Sequence, residues 1–141
     1  MRPASSILSI PTTALVGLAL CGCSQDKALV VHNSDPAVTI TLPPDGSEFD
    51  EGDMIEFAAL VDDNEDGPEA LTVYWTSDVD GELDSTTADS TGALSFATNT
   101  LTPANHVITL TGVDSDAVSA NDFISLVIHD LIDDPEITID S

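Results

Sequence analysis

The chain has 141 residues, of which 26 are acidic and two are basic, so its formal net charge is −24 at pH 7. Such a charge excludes electrostatic binding to nucleic acid or to an anionic lipid surface. No Lys or Arg occurs from Ala28 to Ser141, so this part of the chain forms no Lys or Arg salt bridge, and repulsion among its carboxylates opposes compaction. We therefore expect salt or divalent cations to stabilise it.

The N-terminus has the layout of an export signal. Arg2 precedes a mainly apolar stretch, residues 7–20, which is too short and too interrupted for a membrane-spanning helix. The stretch ends in Leu20-Cys21-Gly22-Cys23, which resembles the bacterial lipobox, with an apolar residue at −3 and a small residue at −1 before the modified cysteine. The resemblance implies removal of residues 1–22 and lipidation of Cys23. A simple secretory signal and a retained apolar helix are the alternatives.

Cleavage before Cys23 would leave 119 residues whose one basic residue is Lys27 and whose one cysteine is Cys23 itself. Residues 23–36 are polar and lack a sustained apolar period, and we interpret them as a tether between lipid and domain. Ser24 after the cysteine resembles lipoproteins that are sorted to an outer membrane. The resemblance therefore implies an exported chain that is anchored in the membrane, at the surface of a bacterium.

Alternating apolar and polar residues begin at Ala37 and predict β-strands with one buried and one solvated face. The apolar positions are Val38, Ile40 and Leu42; Ile55, Phe57, Ala59 and Val61; Leu71, Val73 and Trp75; Leu94 and Phe96; Ile108 and Leu110; and Ile124, Leu126 and Ile128. Turn residues separate these runs, as at Asp80-Gly81. Short strands at this spacing, without a convincing helix, predict an all-β fold, an antiparallel β-sandwich over residues 37–130.

Three stretches of residues 37–129 follow the pattern of a known module. They are Val38-Thr39-Ile40-Thr41-Leu42-Pro43 with Gly46, Phe49 and Gly52; Leu71-Thr72-Val73-Tyr74-Trp75-Thr76-Ser77 running into Asp80-Gly81; and His106-Val107-Ile108-Thr109-Leu110-Thr111 continuing to Asp114-Ser115-Asp116. Together they resemble the immunoglobulin-like, PKD-type modules of bacterial surface proteins. Gly112 in an apolar position and Ala117 in place of a turn glycine depart from the pattern.

The resemblance implies an immunoglobulin-like sandwich of about seven strands, with Trp75 on the third strand, where such domains bury a tryptophan. It also implies a non-catalytic role as a spacer, an adhesion element or an interaction module, with a surface protein or a polysaccharide as partner. An accessory polysaccharide-binding domain is the alternative function. Exposed aromatic residues would favour that alternative, but Phe49, Tyr74 and Phe123 fall in separate segments, which argues against it.

Residues 131–141 form a polar tail in which the start of the module recurs. Asp35-Pro36-Ala37-Val38-Thr39-Ile40 is repeated as Asp134-Pro135-Glu136-Ile137-Thr138-Ile139, 99 residues later. That separation is about one module length for this fold. We interpret the tail as the first strand of an incomplete second module, with an ordinary polar extension as the alternative.

The acidic loop Asp62 to Gly67 matches the first half of an EF-hand calcium loop, with oxygen ligands at positions 1, 3 and 5 and glycine at position 6. Position 12 is Val73 instead of glutamate, and the loop joins two strands, so it is not an EF-hand. In a sandwich it shares one end with the turn before the last strand, and Asp35 should lie near the same end. We expect a calcium site that uses Asp62, Asn64, Asp66, Asp114 and Asp116 in some combination. Solvated, Asp-rich turns are the alternative.

The sequence lacks the motifs of common enzymes. It has no G-x-S-x-G, no H-E-x-x-H and no phosphate-binding glycine loop, and His32, His106 and His129 do not have zinc-ligand spacing. Pairs of carboxylates occur throughout so acidic a chain and therefore identify no glycosidase site. We expect no enzyme activity.

Overall fold

A computed structural model describes residues 32–133. The predicted export signal, Cys23 and the repeat at residues 134–139 therefore lie outside the described residues. The described part contains eight β-strands: β1 (Ala37–Leu42), β2 (Ser47–Asp50), β3 (Ile55–Asp62), β4 (Thr72–Ser77), β5 (Gly81–Asp84), β6 (Ala93–Thr98), β7 (Asn105–Val113) and β8 (Ser119–His129). Its helical segments are two 3₁₀ turns of three residues, Pro68–Ala70 and Leu131–Asp133. No helix within residues 32–133 has the length and apolar character needed to cross a membrane.

The strands form two sheets, which confirms the predicted all-β sandwich. One sheet has the strand order β1-β3-β6 and the other has the order β2-β8-β7-β4-β5. Neighbouring strands are antiparallel, except that β2 runs parallel to β8. The sandwich has eight strands where the sequence predicts about seven, and it is antiparallel apart from the β2–β8 pair.

Two strands, β2 and β5, are not among the six alternating runs of the sequence, and each has four residues. Phe49 is the one apolar residue of β2, and Leu83 is the one apolar residue of β5. A single apolar residue shows no period, so neither strand can be recognised from local alternation. Because β2 precedes it, Trp75 lies on the fourth strand and not on the third.

The inward-facing residues of both sheets form one core. Trp75 has no exposed surface, and its ring centroid lies 5.5 Å from that of Phe96 and 5.7 Å from that of Phe57. Phe57 and Phe96 stack on each other at 4.9 Å. These rings connect β4 of the larger sheet to β3 and β6 of the smaller one. Since aromatic side chains bury large areas in a core, this group packs the two sheets firmly against each other.

The position of Gly112 explains one departure from the module pattern. Gly112 faces inward on β7, where an apolar side chain is expected. A Cβ atom at this position would lie 3.0 Å from Cγ2 of Val38, on β1 of the other sheet. Val38 therefore fills the space that a larger residue at position 112 would need.

The chain crosses the sandwich from one end to the other. Ala37, at the start of β1, pairs with Asp62, where β3 runs into the loop 62–67. Strand β8 begins at this same end with Ser119 and finishes at His129 at the opposite end. Because β8 has eleven residues, the two ends of the domain are roughly 30 Å apart.

Candidate functional site

Three segments meet at the end of the sandwich where β1 begins. They are residues 33–35 before β1, residues 62–67 after β3, and residues 114–118 between β7 and β8; we call them the acidic junction. Asn33 Nδ2 donates a hydrogen bond to Asp114 Oδ2 at 2.6 Å, and Ser34 Oγ donates one to Glu65 Oε2 at 2.6 Å. The three segments thus share one end of the domain, as the sequence predicts.

Asp66 and Asn64 hold the loop 62–67 against its neighbours. The Asp66 carboxylate accepts the backbone N–H of Ser115 at 3.0 Å and the Ser115 hydroxyl at 3.2 Å. Asn64 Nδ2 donates to the hydroxyl oxygen of Ser34 at 2.9 Å. Together with Asp114, these residues make three predicted calcium ligands that form hydrogen bonds between segments.

Asp114 is the most buried carboxylate of the junction, with 6% of its surface exposed. Its Oδ1 accepts the backbone N–H groups of Asp116 at 2.9 Å and Val118 at 2.8 Å, while Oδ2 accepts from Asn33. Burial opposes ionisation of this carboxyl, but the three hydrogen bonds outweigh it and lower the pKa of Asp114. Asp114 therefore stays ionised at neutral pH without a bound cation.

The other two predicted ligands, Asp62 and Asp116, have exposed side chains. Within residues 32–133, no group of three or more His, Cys, Asp or Glu side chains is placed to hold one metal ion. All five predicted ligands thus lie in the acidic junction, where the oxygens of Asp66 and Asp114 face N–H and O–H donors.

The predicted set of calcium ligands does not include Asp63, although Asp63 shapes the loop 62–67. Its Oδ1 accepts the backbone N–H groups of Glu65 and Asp66, each at 2.9 Å. This arrangement is the local turn that aspartate favours, and it is the signal by which the role of Asp63 could have been recognised. Its Oδ2 is buried and has no hydrogen-bond partner in the described part of the chain.

Ala117 carries backbone strain in the turn between β7 and β8. Its φ is 64°, in the left-handed region where a Cβ atom is unfavourable and glycine is preferred. The turn is closed by hydrogen bonds from Ala117 N to Asp114 O and from Asp114 N to Val118 O. The absence of the expected glycine therefore has a structural cost.

Comparison with known families adds an independent line of support for the fold. The family described as bacterial Ig domain matches residues 36–110, which is more than half of the chain. The chain belongs to this family. Membership confirms the immunoglobulin-like part of the resemblance, while the PKD subtype and the lipid anchor stay predictions.

Among solved structures, this bacterial Ig domain is similar to the X-ray structure of the endo-beta-1,4-mannanase from Thermotoga petrophila. The two are 17% identical with a TM-score of 0.51, and the match covers 67% of this chain and 20% of the mannanase. The likeness supports the sandwich fold alone, and the chain spans about a fifth of the length of that enzyme. No curated protein matches the chain.

A second polar cluster of the bacterial Ig domain is buried at the end opposite the acidic junction. His106 is 1% exposed, and its Nε2 lies 2.7 Å from the carbonyl oxygen of Thr102. Since a carbonyl oxygen can only accept, Nε2 carries a proton, and in the neutral ring Nδ1 accepts from Ser77 Oγ at 2.8 Å. The Ser77 oxygen in turn accepts the N–H groups of Val79 and Asp80.

This pairing of serine with histidine is structural. A catalytic serine must be reachable by substrate, and the histidine that activates it is held by a carboxylate. Here Ser77 and His106 are both buried. Nε2 of the histidine bonds to a backbone carbonyl group, and the Asp80 carboxylate approaches only Nδ1, the nitrogen that faces Ser77, at 3.9 Å. The two residues are 29 positions apart, so their contact could not be recognised from the sequence.

The three aromatic residues considered for ligand binding have different surroundings. Phe49 on β2 is partly buried against the core. Tyr74 on β4 and Phe123 on β8 occupy outward-facing positions of the same sheet. The fold thus places Tyr74 and Phe123, which are remote in the sequence, on one face of one sheet. The sequence argument against an aromatic surface therefore does not hold for these two residues.

Three grooves among the described residues are open depressions on the surface of the domain. Two of about 500 and 420 Å³ flank Leu60 on the outer face of the smaller sheet. A third, of about 430 Å³, lies beside Tyr74 on the larger sheet and includes Thr72 and Glu82. Ser77 and His106 line none of these three grooves.

Proposed function

We propose that the chain is a non-catalytic module that a lipid on Cys23 anchors at the surface of a bacterial cell, where it acts as a spacer with an interaction surface. The path of the chain is the observation that carries the spacer role. Because β1 begins at one end of the sandwich and β8 finishes at the other, the domain holds the segments attached to its two ends roughly 30 Å apart. A domain with both termini at one end would add little reach.

Family membership and the buried serine–histidine pair support the non-catalytic part of the proposal. Bacterial Ig domains serve as building blocks of larger surface proteins, and a fold of this kind acquires activity only through a specific site. The described residues offer open grooves on the sheet faces, whereas substrate sites are usually concave and enclose most of the ligand.

The anchor is tested by labelling and by protease treatment of whole cells. The full chain, expressed in a bacterium with an outer membrane, should incorporate labelled palmitate. A Cys23→Ala variant should lose the label, whereas Cys21→Ala serves as the matched control and should keep it. Retention of label in Cys23→Ala would disprove lipidation at this residue.

Surface display is tested separately by trypsin. Since the chain has no Lys or Arg after Lys27, trypsin added to intact cells should release residues 28–141 as one fragment. If the fragment is released only after the outer membrane is permeabilised, the anchor is correct and display at the surface is wrong.

Calcium stabilisation is a second part of the proposal. Its support is the meeting of three acidic segments in one junction, together with the buried and unpartnered Oδ2 of Asp63 among the described residues. Calcium prefers carboxylate and amide oxygens of this kind. In titration calorimetry and thermal unfolding, CaCl₂ should give heat and a higher Tm than NaCl at equal ionic strength.

Variants localise any calcium effect. Asp66→Asn should reduce it, while Asp78→Asn, at the opposite end of the sandwich, should leave it unchanged. Equal Tm values in the two salts, with no heat of binding, would remove calcium from the proposal and leave the spacer role intact.

A further inference from the structure

The central strands of the larger sheet are almost free of acidic residues. The chain has 26 acids, yet β4, β7 and β8 together contain one, Asp122. Its side chain is only partly exposed, and its Oδ2 accepts the backbone N–H of Ile40 on β1 at 2.8 Å. The outward-facing positions of these three strands before His129 therefore carry no charge.

We call this surface the neutral face. It consists of Thr72, Tyr74 and Thr76 on β4; Asn105, Val107, Thr109, Thr111 and Val113 on β7; and Ser119, Asn121, Phe123, Ser125 and Val127 on β8. Side-chain hydroxyl and amide groups make up most of it.

Carboxylates surround the neutral face. Glu48 on β2 lies opposite Val127, and Glu82 on β5 lies opposite Thr76. At one end, Asp78 Oδ1 accepts the backbone N–H of Val107 at 2.7 Å. The absence of charge is thus a property of the neutral face itself, since acidic residues lie on the strands and the loop next to it.

Two aromatic residues stand on the neutral face in neighbouring rows. Thr76, Thr109 and Phe123 form one row across β4, β7 and β8, and Tyr74, Thr111 and Asn121 form the next. Phe123 is 65% exposed, a large fraction for an aromatic residue in a sheet. Two strand spacings and two residues along the strands place the Cα atoms of Tyr74 and Phe123 roughly 12 Å apart.

We propose that the neutral face binds an uncharged polysaccharide. Aromatic rings offer flat apolar surfaces for the C–H faces of sugar rings, and the threonines between them offer O–H groups that both donate to and accept from sugar hydroxyls. The groove beside Tyr74 adds the carboxylate of Glu82 as an acceptor. A polyanionic chain is repelled by the surrounding acids, so charge selects for a neutral one.

The same observations count against a protein partner, including a second copy of the chain. A stable protein interface buries about 800 Å² on each side around a closely packed apolar centre. On the neutral face, Tyr74 and Phe123 are separated by Thr109 and Thr111. Two copies that each carry a charge of −24 also repel each other.

This inference deepens the proposed function by naming the partner of the interaction surface. It rests on the proposed function only for the location of the domain, which is the cell surface. Electrophoresis in native gels measures polysaccharide binding by the full chain, which is kept in a non-ionic detergent. The gels contain a galactomannan, a mixed-linkage β-glucan or dextran as neutral probes, or polygalacturonate as a charged probe. We expect at least one neutral probe to retard the chain relative to an unrelated marker protein, and polygalacturonate to have no effect.

Variants connect the retardation to the neutral face. Phe123→Ala should weaken binding about tenfold, equivalent to 1.4 kcal/mol, without unfolding the domain, because the ring is largely exposed. Tyr74→Ala should weaken it as well, with urea unfolding as a check that the fold is retained. Leu60→Ala, an exposed apolar residue on the other sheet, is the matched control and should bind normally.

Three results would overturn the inference: no retardation by any neutral probe, equal retardation of the wild-type chain and Phe123→Ala, or a dimer in sedimentation analysis that Phe123→Ala dissociates. None of them bears on the labelling of Cys23 or on release by trypsin. Failure of polysaccharide binding is therefore distinguishable from failure of the anchored spacer.

Discussion

Ser77 and His106 share a buried hydrogen bond, with Ser77 Oγ 2.8 Å from His106 Nδ1. The bond joins the end of β4 to the start of β7, and the second ring nitrogen of His106 bonds to the Thr102 carbonyl group. One imidazole thus connects a strand, its neighbour and the loop before that neighbour. Because both ring nitrogens are satisfied, burial of the histidine is tolerated.

Replacing His106 by alanine should therefore lower the free energy of unfolding by about 2–4 kcal/mol, since it leaves a cavity and removes the partners of Ser77 and Thr102. Urea unfolding at neutral pH measures the change. His129→Ala is the control, because half of that side chain is exposed, and it should shift stability by less than about 0.5 kcal/mol. Equal effects of the two substitutions would show that the buried network contributes nothing.

Ala117→Gly should stabilise the domain by about 1 kcal/mol, because glycine adopts a φ of 64° without the steric cost that alanine has there. Thermal unfolding should show a higher Tm. The same substitution at Ala97, an exposed residue of β6, should have the opposite sign, since glycine weakens a strand. A lower Tm for Ala117→Gly would mean that the turn is not strained.

Acid should remove a stabilising contribution from Asp114. Its pKa is lowered in the folded state, so the contribution is complete above the ordinary aspartate pKa of about 3.9 and is lost as the pH falls through the lower folded value. Asp114→Asn should accordingly be less stable than the wild-type chain at pH 6, and the two should converge as the pH approaches 2. Urea unfolding across this range measures the difference.

A non-titrating substitution provides the comparison for the acid experiment. Leu60→Ala changes no proton-binding group, so its difference from the wild-type chain should be the same at every pH. A constant difference for Asp114→Asn as well would refute the contribution of the carboxylate. Asp89, whose pKa is lowered by hydrogen bonds from the Thr91 hydroxyl and the N–H groups of Thr91 and Ala93, should behave like Asp114 when replaced by asparagine.

Gly112 and Val38 should be energetically coupled. A Cβ atom at position 112 would lie 3.0 Å from Val38 Cγ2, so Gly112→Ala should cost about 1–3 kcal/mol through overpacking. In the double variant with Val38→Ala, the removed methyl groups make room for the new one, and the total loss should be smaller than the sum of the single losses. Additive losses in a urea double-mutant cycle would show that the two side chains do not compete for space.

Much of the architecture could be predicted from local pattern. Alternation such as Leu71, Val73 and Trp75 identifies a half-buried strand because the side chains of a strand point to opposite faces in turn. Strands β2 and β5 could not be recognised in this way, since each has one apolar residue and is held by pairing with β8 or β4. The parallel pairing of β2 likewise depends on residues about 80 positions away.

The acidic junction was predictable in its location and not in its bonding. The order of strands in a sandwich brings the loop 62–67 and the turn 114–118 to one end. Whether Asp66 and Asp114 face a cation or an N–H group depends on where Ser115 and Asn33 lie, to within an ångström or less. Spacing along the chain does not contain that information.

The sequence by itself determined the charge of this protein, the alternating strands and thereby the sandwich, because these follow from composition and from a period of two residues. Only the tertiary structure decided that the charge is unevenly distributed. Each of β4, β7 and β8 has neutral outward positions on its own, but their order in the sheet makes those positions one surface and brings Tyr74 to the same face as Phe123. Strand order is set by packing between remote segments, and a local pattern cannot reveal it.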